Sequence, residues 1–147
     1  MLAVGPAMSM PHTPPTQATG PIYFPHAEEQ RQVMLDFEDE LSIWAADFGL
    51  MLETSCDPEH EWMEVGELQQ AGYLSAACAW ANQNWAWMGP MSAFNLDIAP
   101  VSWYADCDPM HWYSITYHNH PQDPGNSPIL YRQAFFCVRN LPKCRAW

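Results

Sequence analysis

Apolar side chains between Pro25 and Leu52 recur with the period of an α helix. At about 100° per residue they fall on one broad face. Proline is tolerated at a helix start, and Glu28 and Glu29 place negative charge in the first turn, where it favours the helix dipole. The pattern therefore predicts one long helix with this face in the core. The face consists of Val33, Met34, Phe37, Leu41, Trp44, Phe48 and Leu52.

A second helical pattern runs from Glu67 to Met88 and is rich in Ala and Gln. The Gly-Pro pair that follows it directly is a helix stop. Between the two long helices, Asp57 has the character of an N-cap because a proline follows it. A short helix over residues 58–65 is therefore predicted as well.

Beyond residue 90 the pattern changes to alternation typical of β strands. Residues 112–118 and 129–138 are β-branched and aromatic, and the Pro-rich loop between them predicts an antiparallel pair. Shorter strands are predicted over residues 94–98 and 101–104. Helices first and strands later imply an α+β fold, with two long helices packed on a small antiparallel sheet of about 3–4 strands.

The chain divides into two parts by composition. Residues 1–21 contain five Pro among Thr, Ser and Gly, which predicts a disordered or extended N-terminal tail. Residues 22–147 have the length and apolar content of a single α+β domain with its own core. The high aromatic content of this domain separates it from acidic chains that stay disordered.

Charge is distributed very unevenly along this domain. Residues 32–131 contain no Lys or Arg but hold fifteen of the 17 Asp and Glu, and the formal net charge is −12. Contacts to phosphate require Lys and Arg, so we do not expect this chain to bind nucleic acid directly. The same charge disfavours anionic membranes. We expect this acidic protein to find a cationic partner.

Four carboxylates fall on a single line of the first predicted helix. On a helical wheel, Asp36, Glu40 and Asp47 lie within about 20° of the position of Glu29, and the four residues span about 27 Å. We call this predicted feature the carboxylate stripe. Such a face is often simply solvated, but like charges without (i, i+4) cations destabilise a helix, which favours a functional role. The predicted partner-binding residues are Glu29, Asp36, Asp39, Glu40, Asp47, Asp57, Glu59, Glu61 and Glu64.

Leu35 and Ile43 project from the polar half of the same predicted helix. Apolar side chains among carboxylates have two interpretations. They are covered by the acidic segment that follows the helix, or they contact a partner, because interface centres are desolvated and their rims are charged.

A row of carboxylates has the charge to take the place of nucleic-acid phosphates in a Lys/Arg groove. The sequence therefore predicts a non-enzymatic inhibitor that binds a basic surface of a nuclease, a CRISPR effector or a toxin. The same mode of binding is used by DNA mimics, by anti-CRISPR and anti-restriction proteins of phages and mobile elements, and by immunity proteins. The chain resembles them in size and charge only. A structural subunit facing a basic neighbour in a larger assembly is a further alternative.

A second class of function centres on two histidines. His118 and His120 point to one side if the strand continues, and with Asp123, His111 or Cys107 they have the character of zinc ligands. An open fourth position would allow a metal-dependent hydrolase. No zinc-enzyme spacing, nucleophile elbow or phosphate-binding loop is present. The favoured expectation is therefore no enzyme, no cofactor and no metal.

Five cysteines occur at irregular spacings without a CxxC pair. They are predicted to be reduced thiols, with Cys137–Cys144 as the alternative if the protein is exported. The N-terminus lacks the basic and uninterrupted apolar regions of a signal peptide, and no run of about eighteen apolar residues occurs. The chain is therefore predicted to be cytoplasmic. Pairing of Arg132 or Arg139 with the carboxylate stripe would weaken the inhibitor hypothesis.

Overall fold

A computed structural model describes residues 24–53, 58, 61, 64–101, 107–118, 126–142 and 144–145, with the backbone alone at Asp47 and Arg145. It contains helices and strands in mixed order, so the predicted α+β class is confirmed in this general form. Its arrangement differs from the predicted one. The predicted tail, residues 102–104 of the last predicted short strand and most of the short helix over residues 58–65 lie outside the described residues.

The described helices are short apart from one, and the strands form two small sheets. The helices are α1 (His26–Asp36), α2 (Glu67–Asn84) and α3 (Gln133–Val138), with a 3₁₀ helix at Pro109–Tyr113. The strands are β1 (Ile43–Phe48), β2 (Met88–Ala93), β3 (Thr116–His118), β4 (Ile129–Tyr131) and β5 (Cys144–Arg145).

Helix α1 ends at Asp36, far short of the predicted Leu52. Glu38 adopts a left-handed conformation with φ 60°. Its N–H donates to the Leu35 carbonyl at 3.0 Å, and the next N–H, of Asp39, donates to the Met34 carbonyl at 2.9 Å. These two bonds form a Schellman motif, which closes a helix. Gly usually occupies this position of the motif. Because Glu stands there instead, the sequence does not indicate that the helix ends here.

The chain then enters β1 instead of continuing as a helix. β1 pairs in parallel with β2, with Ile43 opposite Met88 and Phe48 opposite Ala93. Burial of Ile43 and Ala45 against β2 stabilises the extended form. This tertiary pairing overrides the helical preference of the two alanines in the segment.

β2 is the central strand of a three-stranded sheet in the order β1–β2–β5. Both of its pairings are parallel, so the predicted antiparallel sheet is wrong here. Antiparallel pairing occurs between β3 and β4, where Thr116 faces Tyr131 and His118 faces Ile129. The predicted hairpin is confirmed over these residues. Its second strand stops at Tyr131 because Gln133–Val138 forms α3, and residues 94–98 form no strand.

Helix α2 matches the sequence prediction closely, beginning at Glu67 and ending four residues before Met88. The Gly66 N–H donates to the Gln69 side-chain oxygen at 3.0 Å, which satisfies one free donor at the N-terminus. One side is buried, and its small side chains allow α3 to pack closely against it. The buried residues are Gln70, Ala71, Leu74, Ala77, Cys78 and Ala81.

A disulfide between Cys78 and Cys144 ties α2 to β5, with their Cα atoms 6.0 Å apart. Cys107 is also disulfide-bonded, and among the described cysteines Cys137 is a free thiol. The expectation of reduced thiols is therefore wrong, and so is the alternative Cys137–Cys144 bridge. None of the helices in the described ranges has the length and apolarity needed to span a membrane.

Candidate protein-binding surface

The link from α1 to β1 concentrates carboxylates in one turn. We call residues 36–42 the acidic turn; it contains Asp36, Glu38, Asp39 and Glu40. The carboxylate of Asp36 accepts a hydrogen bond from Gln32 at 2.8 Å, and that of Asp39 accepts one from the Leu41 N–H at 2.9 Å. Glu38 and Glu40 are exposed and, among the described residues, their carboxylates have no polar partner. Two full negative charges therefore face solvent.

Arg31 shapes this turn without pairing with its carboxylates. Its guanidinium donates to the carbonyl oxygens of Leu41 at 2.8 Å, Asp39 at 3.4 Å and Glu40 at 3.5 Å. The same group lies over the ring of Trp87, 6.0 Å from its centroid. The cation thus holds backbone carbonyls against α1, and the carboxylates of the turn stay unpaired with it.

Apolar side chains stand exposed in the same region. Phe37 is 82% exposed and Leu41 is 73% exposed, and Val33 and Trp44 flank them along the chain. We call these four residues the apolar patch. All four were predicted to lie in the core, because a continuous helix would have turned them toward it. Contiguous exposed apolar surface is a feature of interaction sites, and these four exposed side chains come from neighbouring parts of the chain.

The two isolated apolar residues, Leu35 and Ile43, have opposite outcomes. Leu35 is exposed on α1, next to the acidic turn, whereas Ile43 is buried at the start of β1. Leu35 therefore remains accessible to a partner, and Ile43 is part of the core.

An aromatic stack fixes α1 to the sheet. The Phe24 ring lies 5.8 Å from that of Phe48 and 4.7 Å from that of Trp85, and Trp85 stacks on Trp87 at 5.1 Å. The Trp85 indole N–H donates to the Glu28 carboxylate at 2.7 Å. These contacts place the start of α1 against the sheet and leave its end, with the acidic turn, at the surface.

The carboxylate stripe predicted for one long helix does not exist as a helical line. Glu29 lies on α1 with its carboxylate 2.9 Å from His26 Nδ1, and Asp36 is the last residue of α1. Glu40 lies beyond the helix and Asp47 lies in β1, so the 27 Å spacing is wrong. The structure brings Asp36, Asp39 and Glu40 together instead, and adds Glu38, which the sequence prediction had left out.

The second predicted acidic patch is only partly described. Glu61 is exposed, whereas Glu64 is buried at 8% exposure and is not available to a partner at the surface. Asp57 and Glu59 lie outside the described residues, as does the side chain of Asp47. The patch therefore adds one described, accessible carboxylate to those of the acidic turn.

Of the late arginines, Arg132 and Arg139 have described side chains, and neither pairs with a carboxylate of the acidic turn. Arg132 pairs with Glu67 at 3.4 Å and lies over the ring of Tyr117 at 4.9 Å. Arg139 lies 5.8 Å and 5.6 Å from the ring centroids of Phe135 and Phe136. Among the described arginine side chains, none pairs with Glu29, Asp36 or Glu40. The pairing with the carboxylate stripe that would have weakened the inhibitor hypothesis is therefore absent among the described arginine side chains.

His118 has both ring nitrogens engaged within the fold. Nε2 lies 2.7 Å from Asp97 Oδ2, and Nδ1 lies 3.3 Å from the Ser127 carbonyl oxygen. The hydrogen bond to Asp97 raises the imidazole pKa above 6.5, although burial opposes this effect. A metal would have to displace Asp97 or Ser127 to reach a lone pair. Within the described ranges, no three His, Cys, Asp or Glu residues are grouped so that they could hold a metal ion, and His120 lies outside these ranges.

The Asp97–His118 pair predicts a specific pH dependence of stability. Because the folded pKa is raised, the stabilisation is fully present below pH 6.5 and declines as pH rises through the folded pKa. Asp97→Asn is expected to lower the free energy of unfolding by about 2 kcal/mol at pH 6 and by less at pH 9. NMR titration of His118 should show its pKa falling in the variant. An unchanged His118 titration would contradict the hydrogen bond between His118 and Asp97.

The chain matches no protein-family model, no curated protein and no solved structure in the comparisons made. The functional conclusion therefore depends on the geometry and charge of the surface described above.

Proposed function

We propose that this chain is a non-enzymatic binding protein that blocks a basic surface of a nucleic-acid-handling protein. The observation that carries the proposal is the exposure of Phe37 and Leu41 within the acidic turn. Isolated carboxylates are commonly only solvated, but large apolar side chains exposed among them are costly to leave in water. Covering them with a partner recovers that cost.

The arrangement has the parts of a protein interface. Apolar anchors supply most of the binding energy when they are fully desolvated. Carboxylates around them steer a cationic surface into place and disfavour acidic partners. Phe37 and Leu41 serve as the anchors in this proposal, and Asp36, Glu38 and Glu40 serve as the charged rim.

The chain holds few cations that could offset the negative charge of this surface. The formal net charge is −12, and residues 32–131 hold no Lys or Arg. Arg31 lies against the acidic turn and offsets part of its charge, whereas Arg132 is paired with Glu67. A surface built to bind phosphates is the natural complement, so the proposed targets are a nuclease, a CRISPR effector or a toxin.

The corrected geometry changes how such a target would be held. A 27 Å line of carboxylates would follow a phosphate backbone, whereas the acidic turn is short and includes the exposed Phe37 and Leu41. Affinity is therefore expected to depend on the apolar patch as much as on charge. This supports insertion of the turn into one basic pocket more than imitation of an extended nucleic acid.

The disulfides bear on the cellular compartment in which this protein binds its target. Disulfides persist mainly in oxidising compartments, and Cys78–Cys144 and Cys107 are oxidised here. The cytoplasmic location stays a prediction from the N-terminal sequence. Oxidised cysteines favour a toxin or nuclease met outside the reducing cytosol over a CRISPR effector.

Charge variants at the acidic turn test the proposal. The partner is first captured from a lysate of the source organism at low salt and identified by mass spectrometry. Asp36→Asn/Glu40→Gln is then expected to weaken its binding about tenfold and to flatten the dependence of affinity on salt. Asn82→Lys/Gln83→Lys, on exposed α2 positions, changes the net charge equally and should weaken binding less than about threefold. Equal effects of the two variants would contradict a local site.

A variant of the apolar patch tests the same proposal independently of charge. Phe37→Ser is expected to leave stability within about 0.5 kcal/mol, because the side chain is already exposed, and to cost about 2 kcal/mol in binding. Activity of the captured partner separates the alternatives. Inhibition supports the blocking function, whereas full activity in the complex supports a structural subunit of an assembly.

A further inference from the structure

Strand β4 and helix α3 carry a second group of exposed apolar side chains. Ile129, Tyr131 and Phe136 are each about half exposed. Ile129 and Tyr131 are two residues apart in β4 and therefore lie on one side of the strand. The Tyr131 ring is 4.3 Å from that of Phe135 and 6.0 Å from that of Phe136, so the three rings adjoin one another. We call these four residues, together with Arg139, the aromatic face.

Arg139 gives the aromatic face a positive charge. Its side chain is exposed, and its guanidinium lies 5.8 Å and 5.6 Å from the ring centroids of Phe135 and Phe136. Among the described residues, no carboxylate pairs with Arg139. Residues 126–147 hold four of the five Lys and Arg of the chain and no Asp or Glu. The local charge is therefore opposite to that of the acidic turn.

The aromatic face and the acidic turn lie near opposite ends of α2. At the N-terminal end, the Glu67 carboxylate pairs with Arg132 and accepts a hydrogen bond from the Gln133 N–H at 3.2 Å, which places the start of α3 there. Beyond the C-terminal end, Arg31 lies over Trp87 and bonds carbonyl oxygens of the acidic turn. Helix α2 has 18 residues and is about 27 Å long. The acidic turn of a molecule is therefore far from the aromatic face of the same molecule.

From this separation and the opposite charges we infer that the aromatic face of one molecule binds the acidic turn of a second copy of this chain. In this contact Phe37 packs on Tyr131 and Phe136, and Glu40 pairs with Arg139. Apolar side chains of both surfaces are removed from water, and the charged pair fixes the orientation. A pair of copies keeps one free surface of each kind, so the contact is head-to-tail and further copies can add to it.

The net charge of the chain gives this contact its own salt dependence. Two copies that each carry −12 repel one another, and at about 0.01 M salt this repulsion extends over about 30 Å. At about 0.15 M salt the range falls to about 8 Å, whereas charges buried in the contact are screened much less. Self-association is therefore expected to strengthen between these two salt concentrations. Binding of a basic target weakens over the same range.

This inference goes beyond the proposed function, because the aromatic face takes no part in holding the target. The two contacts share the acidic turn, so a second copy and the target compete for it. Self-association keeps Phe37 covered until a target of higher affinity displaces the second copy.

Mixing two variants tests the head-to-tail contact. Phe136→Ser/Arg139→Gln removes an apolar side chain and the charge of the aromatic face, and Phe37→Ser/Glu40→Gln does the same at the acidic turn. Sedimentation equilibrium of the full wild-type chain in about 0.15 M salt is expected to give a dissociation constant on the order of 0.1 mM, which corresponds to a small, transient interface. Each variant alone should associate at least about tenfold more weakly. An equimolar mixture should form pairs and no larger species, because each variant retains one intact surface.

Two substitutions of Asn82, an exposed residue of α2, are the charge-matched controls. Asn82→Lys raises the net charge by one, as Phe37→Ser/Glu40→Gln does, and Asn82→Asp lowers it by one, as Phe136→Ser/Arg139→Gln does. Both controls should change the association less than about threefold. If circular dichroism shows that Phe136→Ser/Arg139→Gln does not fold, Arg139→Glu takes its place in the mixture, because Arg139 is exposed.

The possible outcomes separate this inference from the proposed function. A wild-type chain that stays monomeric up to about 1 mM would overturn the inference, leave the aromatic face to a different acidic protein, and leave target binding at the acidic turn intact. A mixture that associates no more strongly than either variant alone would also overturn it. Pairing in the mixture, together with unchanged target binding by Phe136→Ser/Arg139→Gln, supports the inference.

Discussion

The double variant Cys78→Ala/Cys144→Ala is expected to lose about 4 kcal/mol of unfolding free energy. The bridge joins residues separated by 66 positions, and a cross-link over a loop of this length strongly reduces the entropy of the unfolded chain. Both half-cystines are buried, so alanine introduces no polar group into the core. Thermal denaturation should show the midpoint falling by roughly 10 °C or more.

Cys137→Ala is the matched control for this experiment. Cys137 is a free thiol on α3, so its removal leaves the cross-link in place and should cost less than about 1.5 kcal/mol. Thiol titration of the native protein gives a second measurement. Five titratable thiols together with an unchanged midpoint under reducing agent would show that the bridge does not form in solution.

The bridge also connects the scaffold to the proposed binding surface. β5 pairs with β2, and β2 pairs with β1, so the covalent link from α2 holds the sheet whose far edge follows the acidic turn. Reduction should therefore weaken partner binding through loss of the folded fraction. The contacts at the surface itself would be unchanged in the molecules that stay folded.

Gly49→Ala is expected to destabilise the fold by about 3 kcal/mol. Gly49 directly follows β1, and a methyl group there would collide with the Phe94 carbonyl oxygen and press on the Tyr113 ring. The close approach is enforced by the Phe94 N–H, which donates to the Phe48 carbonyl at 2.8 Å. Because the obstacle is backbone, the strain cannot be relieved by a change of rotamer. Chemical denaturation of the purified variant measures the loss.

Gly72→Ala is the matched control for Gly49→Ala, and it is expected to increase the free energy of unfolding. Gly72 lies in the middle of α2, is exposed, and has no neighbouring atom within 4 Å of the added methyl group. Alanine there should stabilise the protein by about 0.5–1 kcal/mol through helix propensity alone. Similar effects at both positions would contradict the close approach at Gly49.

Helix α2 and the β3–β4 hairpin were predictable from sequence because their signals are local. α2 has a long periodic pattern that begins at Glu67 and ends before Gly89 and Pro90. The hairpin has β-branched and aromatic residues on both sides of a Pro-rich loop. Each of these features depends on residues close together in the chain, so no long-range contact was needed to find them.

Strand β1 and the end of α1 were not predictable in this way. The periodicity from Val33 to Phe48 favours a helix, and no Gly or Pro interrupts it before Gly49. The helix ends because Glu38 adopts a left-handed conformation and Arg31 bonds the carbonyls that follow. β1 extends because β2, about forty-five residues later, pairs with it. Long-range pairing of this kind outweighs local propensity by burying side chains that an isolated segment leaves in water.

The candidate site, too, was predictable from the sequence only in part. Its residue types were evident, since Phe37 lies among Asp36, Glu38, Asp39 and Glu40 in consecutive positions. A helical wheel assigned Phe37 to the core and the carboxylates to a separate flank. The turn after α1 places the aromatic ring and the carboxylates together at the surface instead.

The sequence by itself determined the charge of the protein and its strongest local elements. One hundred residues without Lys or Arg make a negative surface unavoidable, because the carboxylates in that stretch have no cation nearby along the chain. Tertiary structure alone decided which carboxylates meet, which cysteines join and which apolar residues stay exposed. Those outcomes depend on pairings between distant segments, in which buried contacts outweigh the local preferences of each segment.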